Sequence, residues 1–330
     1  MCGFLHIFQK NKAIPQDRFK RSLDLIKHRG PDYTGMAFQS RVLKTDLGEI
    51  ELHVASGHQR LSILDLNERS AQPFQREEHS LLFNGEVYNS RDLRSEPSIC
   101  ELHFDTTGDT EVLFRGLQHE GSGFLKKLNG MWAFTFLDWG NARLIASRDR
   151  YGKKPLFYYI DDDLMCFAST IRAIQEYVGM DLSLRNEDMD AYLRHGKMFP
   201  SSTENSHIIG IKQVLPGQVM DVDFTSWSVK SAVAYDPILR GDFRDSTDQD
   251  ELAHLIKDAV VSRLTSDRQV GLLLSGGIDS TLVLSAMCSA NMQDQVRCFI
   301  GETGKSPDAR YAQQCVEKLG ISATTVNHKL

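Results

Sequence analysis

The 330-residue sequence has no apolar run approaching the roughly 18 residues that a membrane-spanning helix needs, so no membrane partner is expected. Its six cysteines, at positions 2, 100, 166, 288, 298 and 315, include no Cys-x-x-Cys pair. This argues against a zinc ribbon and gives no disulfide framework. Basic residues are not in excess: 38 Lys and Arg stand against 44 Asp and Glu, a net charge of −6. Such a chain is poorly suited to binding by phosphate neutralisation, and no nucleic-acid partner is expected. The opening Met-Cys-Gly-Phe-Leu-His-Ile-Phe has no basic segment leading into a long apolar core, so it does not read as a secretory signal. His6, His28 and His58 lack metal-ligand spacing and read as packing or hydrogen-bonding residues, and no metal site is expected from them. There is no internal repeat and no low-complexity tract.

What is there is an ordinary globular composition, 41% apolar and 25% charged, in a length that suits two domains. The expectation is a soluble, reduced, cytoplasmic protein. Up to about residue 235 the sequence is strand-rich, with apolar runs at 3–8, 80–89, 131–138, 143–149 and 155–160 separated by turn-formers. Phe19, Leu23 and Ile26 repeat at helical spacing within 15–28. A second helix is predicted over 109–121, with Asp109 or Thr110 as N-cap and Gly121 after its last turn. The polar stretch 236–251 reads as a linker. Beyond it, helix (250–265), strand (269–274), helix (281–290), strand (296–300), helix (308–319) and strand (321–326) predict a parallel sheet. Trp132, Phe134 and Phe136 alternate and read as sheet core. Lys153 and Lys154 read as solvated loop residues, and Asp161-Asp162-Asp163 as a hairpin tip.

Two features carry chemistry. Cys2 follows the initiator Met and precedes Gly3. With Met1 removed, it would hold a thiol and a free α-amine able to take the thiol proton, directly or through water. Taken alone, a second-position cysteine reads first as a chance residue. The other feature is 270-VGLLLSGGIDST-281, a strand running through glycines into a helix. Backbone N–H groups, the helix dipole and the Ser275 and Ser280 hydroxyls suit a pyrophosphate, although a plain tight turn is the alternative. The nearby 301-GETGKS-306 lacks the first glycine of a phosphate-binding Walker loop, since Phe299 occupies that place. It reads as an ordinary loop, with Gly304 a turn residue and Lys305 solvated.

Both features occur together with 28-HRGPD-32, 58-HQRLSILDL-66, 83-FNGEVYN-89, 109-DTEVL-113, 128-LNGMWAF-134, 148-RDRYGKKPLFY-158 and 167-FAS-169. In order and spacing these runs resemble the glutamine-hydrolysing asparagine synthetases over almost the whole chain. The resemblance implies an α+β four-layer αββα sandwich of the N-terminal-nucleophile type, followed by a partial α/β parallel-sheet nucleotide-binding domain. The implied domains are a class-II glutamine amidotransferase domain at 2–205, connecting strands and linker at 206–249, and the N-terminal portion of an ATP-pyrophosphatase domain at 250–330.

The implied activity is hydrolysis of glutamine by Cys2 through a thioester, with ATP-dependent amidation of aspartate to asparagine. Asn84 and Gly85 match the oxyanion hole; as a bare dipeptide, Asn-Gly also reads as a hairpin turn. Arg60, Leu61, Ser62, Ile63, Leu64, Glu86 and Asp109 join Asn84 and Gly85 as glutamine-binding residues, Arg60 on the carboxylate and Asp109 on the ammonium. Taken alone, Arg60 could be a surface ion pair. Ser275, Gly276, Gly277, Asp279 and Ser280 match residues that hold ATP phosphates, with Mg²⁺, and Leu273 and Ile300 match residues lining the adenine pocket. The family's second Ser-Gly-Glu-Gly loop has no counterpart here, so asparagine formation is expected to need a second chain supplying the rest of the synthetase domain. Thr170 replaces the usual Glu after Phe-Ala-Ser, and Arg268-Gln269 the usual Val-Pro. A stand-alone glutaminase or ammonia donor, and a glutamine- or nucleotide-sensing binding protein, are the alternatives; a homodimer is left open.

Overall fold

The computed structural model describes residues 1–46, 48–181, 183–196, 203–234, 248–302 and 307–327. Most of the expected linker, and the loop residues Gly304 and Lys305, lie outside them. The chain divides into two compact units, Met1–Gly241 and Asp242–Leu330.

The strands of the first unit are β1 (Gly3–Lys10), β2 (Tyr33–Thr45), β3 (Gly48–Arg60), β4 (Phe74–Arg76), β5 (His79–Val87), β6 (Gly130–Asp138), β7 (Arg143–Arg148), β8 (Phe157–Ile160), β9 (Leu164–Ala168), β10 (Lys212–Gln213), β11 (Gln218–Asp223) and β12 (Ser228–Val233). Its helices are α1 (Gln16–Asp24), α2 (Ser90–Leu93), α3 (Asp109–Glu120), α4 (Ile171–Val178) and α5 (Asn186–His195). The strands form two six-stranded antiparallel sheets, ordered β10-β8-β9-β1-β3-β2 and β12-β11-β7-β6-β5-β4.

Side chains alternate along a strand, and this period sorts the core into layers. Phe4 and Phe8 of β1, Leu52 and Val54 of β3, Leu82 of β5 and Leu137 of β6 meet between the sheets. The intervening residues face outward. Leu5, Ile7 and Ala55 pack under α1 and α4 through Phe19, Leu23, Ile174 and Tyr177. Leu81, Phe83, Trp132, Phe134 and Phe136 pack under α3 through Val112, Leu113 and Leu117. Helix, sheet, sheet, helix is the four-layer order expected. Each fully buried Phe or Leu stabilises this arrangement by about 1.5–3 kcal/mol relative to an exposed one.

In the second unit, α6 (Gln249–Val261) precedes β13 (Val270–Leu273), α7 (Ile278–Ser289), β14 (Val296–Glu302), α8 (Pro307–Leu319) and β15 (Ala323–Asn327). The three strands are parallel, in the order β13-β14-β15. Leu274, Cys298 and Ile300 pack with Leu284 of α7 and with Ala312 and Val316 of α8. The Asp248 carboxylate caps α6, accepting from Asp250 N at 2.9 Å. Among the described residues, no helix is long and apolar enough to cross a membrane.

Candidate active site

Cys2 stands one residue before β1, which lies inside its sheet between β9 and β3. Gly3 pairs with Gln59 and Phe4 with His58, so Cys2 falls beside the end of β3. There its Sγ accepts from Leu61 N at 3.4 Å. Arg29 Nε donates to Cys2 O at 2.9 Å. Burial pushes the thiol pKa up, and the Asp109 charge adds to that; Leu61 N–H, the N-terminal ammonium and Arg60 oppose it. Burial also pushes the N-terminal amine down, with help from Arg29 and Lys154.

The segment 61–67 is tied from two sides. Arg60 is buried, and its guanidinium donates to Asn67 O at 2.9 Å, Leu64 O at 3.2 Å and Asp65 O at 2.5 Å. It is not a surface ion pair. Asp65, also buried, accepts from Thr107 N at 2.8 Å and from the Asn67 side chain at 3.0 Å. These bonds hold its carboxyl well below the usual range despite burial. Asp65 thereby joins the loop carrying Leu61, Ser62, Ile63 and Leu64 to the segment that leads into α3. Ser62 N donates to Asp32 Oδ2 at 2.8 Å. Arg29 and Asp32 lie in the 28–32 run, which reads from sequence as an ordered loop near the glutamine pocket; Asp65 was given no role of its own, although an Asp that binds the backbone N–H two residues on, as it binds Asn67 N, is a recurrent turn device.

Asp109 is not the N-cap of α3. Gly108 holds that position, and Asp109 is the first helical residue. Its Oδ2 accepts from Val87 N at the end of β5, at 2.8 Å. Burial raises its pKa to about 6, against the pull of that hydrogen bond. The Glu86 charge pushes it the same way, which places the two carboxylates within electrostatic reach.

Asn84 and Gly85 form no turn. They lie in β5, paired with Ala133 and Trp132. A Cβ on Gly85 would run into Met131 O and the Phe83 ring, so only glycine fits there. Asn84 shares the inter-sheet parity of Leu82 and is 1% exposed, yet among the described residues its Nδ2 has no hydrogen-bond partner. A buried amide donor left unmade costs about 1–3 kcal/mol. An acceptor supplied by a ligand would satisfy it.

Lys154 is buried rather than solvated, at 6% exposure. Asp149 explains why. Its carboxylate gathers the N–H groups of Trp132, Tyr151, Lys153 and Lys154 at 2.9–3.3 Å. Arg148 binds the carbonyls of Gly152 and Lys154 at 2.9 and 2.8 Å. The turn is folded inward, and the Lys154 ammonium comes within electrostatic reach of Glu86 and Cys2, while burial lowers its pKa. Asp161–Asp163 do connect β8 to β9, and Trp132, Phe134 and Phe136 are core. His6 and His58 are fully buried and held neutral, with pKa values lowered to about 3 and about 4. His6 hydrogen-bonds Thr135 and Ser56 at 2.9 and 3.0 Å; His28 is exposed.

In the second unit, Ser275, Gly276 and Gly277 join β13 to α7. Gly277 caps α7 with no side-chain bond to its first turn. Ser275 Oγ lies 3.0 Å from Ser280 Oγ, and Gly277 N donates to Ser275 Oγ at 3.4 Å. Gly276 has φ +80°, and a Cβ there would strike Asp308 O and Ala312 N of α8. Asp279 is exposed in the first turn of α7. Leu273 and Ile300 are not brought together: Leu273 is 80% exposed, while Ile300 is buried on the opposite face under α8. Ile300 borders a cavity of about 710 Å³ formed with Glu302, Arg310 and Tyr311, and Leu273 does not line it.

Two antiparallel sheets between helical layers, with a cysteine at the head of an interior strand, are the architecture of the N-terminal-nucleophile amidotransferases. The solved structure of glutamine phosphoribosylpyrophosphate amidotransferase from B. subtilis, complexed with ADP and GMP, shares the fold. It superposes with a TM-score of 0.50 at 16% identity, covering 98% of this chain and 65% of that one. A family model described as a glutamine amidotransferase domain matches residues 1–232, and the chain belongs to that family. The asparagine synthase family model matches residues 251–329. The chain is 30% identical over 296 residues to asparagine synthetase [glutamine-hydrolyzing] 1 of Bacillus subtilis (strain 168), covering 86% of this chain and 43% of the relative. It is 29% identical over 356 residues to asparagine synthetase B [glutamine-hydrolyzing] of Escherichia coli (strain K12), covering 100% of this chain and 54% of the relative. It thus spans about half the length of these curated relatives.

Proposed function

We propose that this chain hydrolyses glutamine at Cys2 and supplies the ammonia to an ATP-activated acceptor, with aspartate as that acceptor. The observation that carries the first half is the buried Nδ2 of Asn84, unpartnered among the described residues. It faces the layer between the sheets, into which Phe4 and Phe8 of the strand that follows Cys2 also point. In this reading Met1 is removed and the Cys2 amine takes the thiol proton. Sulfur attacks the amide carbon of glutamine, and the oxygen becomes an oxyanion facing Asn84 Nδ2 and Gly85 N–H. The amine returns the proton to the departing ammonia, which leaves a thioester that water cleaves to glutamate. The Arg60-tied loop with Leu61, Ser62, Ile63 and Leu64 receives the substrate carboxylate, and Asp109 and Glu86 receive its ammonium.

In the second unit, Ser275, Gly276, Gly277, Asp279 and Ser280 would hold ATP phosphates. The α7 N-terminus, which no side chain caps, and the glycine fixed under α8 fit an anion at the carboxyl end of a parallel strand. The nucleotide would supply the leaving group that activates a carboxylate. Among the described residues no cluster of three or more ligating side chains is preformed for a metal. Mg²⁺ would arrive with the phosphates, a mode it commonly uses. Ile300, which borders the cavity under α8, is proposed to meet the adenine; Leu273, exposed on the other face of the sheet, is not. We place the division between the two activities within 206–249. The six unpaired cysteines suit a cytoplasmic setting. The test is release of ammonia and glutamate from glutamine by protein with Met1 removed. No release by that protein would refute the glutaminase half; AMP formed with aspartate and ATP tests the other half.

A further inference from the structure

We infer that His58 and Gln72 are positioning residues that set the oxyanion donor of Asn84 against the Cys2 thiol. This rests on the glutaminase reading above. The register of β4 and β5 pairs Phe74 with Leu81, and its continuation places Gln72 opposite Phe83. The ladder stops at Phe74, and the Gln72 side chain takes over both backbone bonds of Phe83. Phe83 N donates to Gln72 Oε1 at 2.6 Å, and Gln72 Nε2 donates to Phe83 O at 3.1 Å. A second donor reaches the same carbonyl from the facing sheet: His58 Nε2, also at 3.1 Å. A carbonyl can only accept, so Nε2 carries the proton.

Three consequences follow from this geometry. Phe83 C=O and Asn84 N–H share one rigid peptide plane, so fixing the carbonyl fixes the root of the Asn84 side chain. His58 pairs across β1 with Phe4, two residues from Cys2, so its bond ties the nucleophile's sheet to the oxyanion donor's sheet. Both clamping side chains are deeply buried, His58 at 0% and Gln72 at 5% exposure. Burial holds His58 neutral, and water does not compete for the carbonyl.

The test compares His58→Leu and Gln72→Met, which remove a donor, with His58→Gln, which keeps one. Each full-length variant is assayed for glutamine hydrolysis and for inhibition by the aldehyde analogue of glutamine, whose tetrahedral adduct with Cys2 carries an oxyanion. The expected loss is about tenfold to hundredfold in kcat, below the roughly 10²–10³ seen when an oxyanion donor itself is deleted. KM for glutamine is unchanged, the aldehyde binds more weakly by the same factor, and His58→Gln recovers most of both. If His58→Leu does not fold, Gln72→Met against His58→Gln decides. A lowered melting temperature with wild-type aldehyde affinity, or an equal loss in His58→Gln, overturns the inference. Inactive wild-type protein would instead refute the glutaminase reading.

Discussion

Replacing Asn84 by Leu separates catalysis from stability. The substitution removes an amide group of similar size that is 1% exposed and whose Nδ2 donates to nothing among the described residues. An unsatisfied buried donor costs about 1–3 kcal/mol, and an apolar group of the same shape abolishes that cost. For a unit of about 240 residues, Met1–Gly241, each kcal/mol moves Tm by roughly 2–4 °C. Asn84→Leu is expected to melt at or a few degrees above the parent temperature. In the transition state the same donor is worth about 2.7–4 kcal/mol, so kcat should fall by about 10²–10³ with KM for glutamine little changed. Thermal melting and a coupled glutamate assay on the same preparation measure both quantities. Parent-level kcat would refute the oxyanion role. A fall in Tm of several degrees would refute the view that Nδ2 awaits a ligand.

Cys2→Ala should abolish ammonia release while leaving glutamine binding measurable by calorimetry; retained hydrolysis would assign the nucleophile elsewhere. Asp109, raised to about 6 by burial, must be ionised to hold an ammonium, so KM for glutamine should rise as pH falls through about 6. Its native state also binds the proton more tightly than the unfolded chain does, so it lowers stability as pH climbs from the ordinary carboxylate range through about 6. Asp109→Asn should remove that slope in melting curves and raise KM at pH 8. Asp65, held low by its bonds, works in the opposite sense. It stabilises above the ordinary carboxylate range, and that stability is lost as pH falls through its depressed pKa. In Gly276→Ala a side chain is forced into a left-handed conformation costing about 1–2 kcal/mol, against α8 backbone. Binding of a fluorescent ATP analogue should weaken, and unaltered binding would remove the loop from the phosphate site.

Period-two patterns made the strands of the first unit legible, because each buries one face on the other sheet and one under helices. Strand–helix alternation marked the parallel sheet equally well. Local pattern failed where a side chain answers to a distant partner. Asp109 reads as a cap by neighbourhood, but its carboxylate is claimed by Val87, 22 residues away. Lys154 reads as solvated because nothing local buries it; Asp149 and Arg148 fold its turn inward, and no hydropathy window registers that. Asn84-Gly85 carries the strongest short hairpin signal, yet pairing with Ala133 and Trp132 overrides it. Gln72 went unremarked, and His58 read only as a packing or hydrogen-bonding residue, for the same reason, since both act on Phe83 from 11 and 25 residues away.

The aim of the sulfur depends on counting. Gly3 is locked to Gln59, and Leu5 is gripped from both flanks by Gly57 and Ala168. A single residue inserted between Cys2 and Gly3 would reverse the parity of everything before the insertion. The thiol would then turn toward the helix-covered exterior of its sheet, with every strand still in place and every core contact intact. Folding would proceed normally, and the chemistry would be lost to a half-turn of one bond vector.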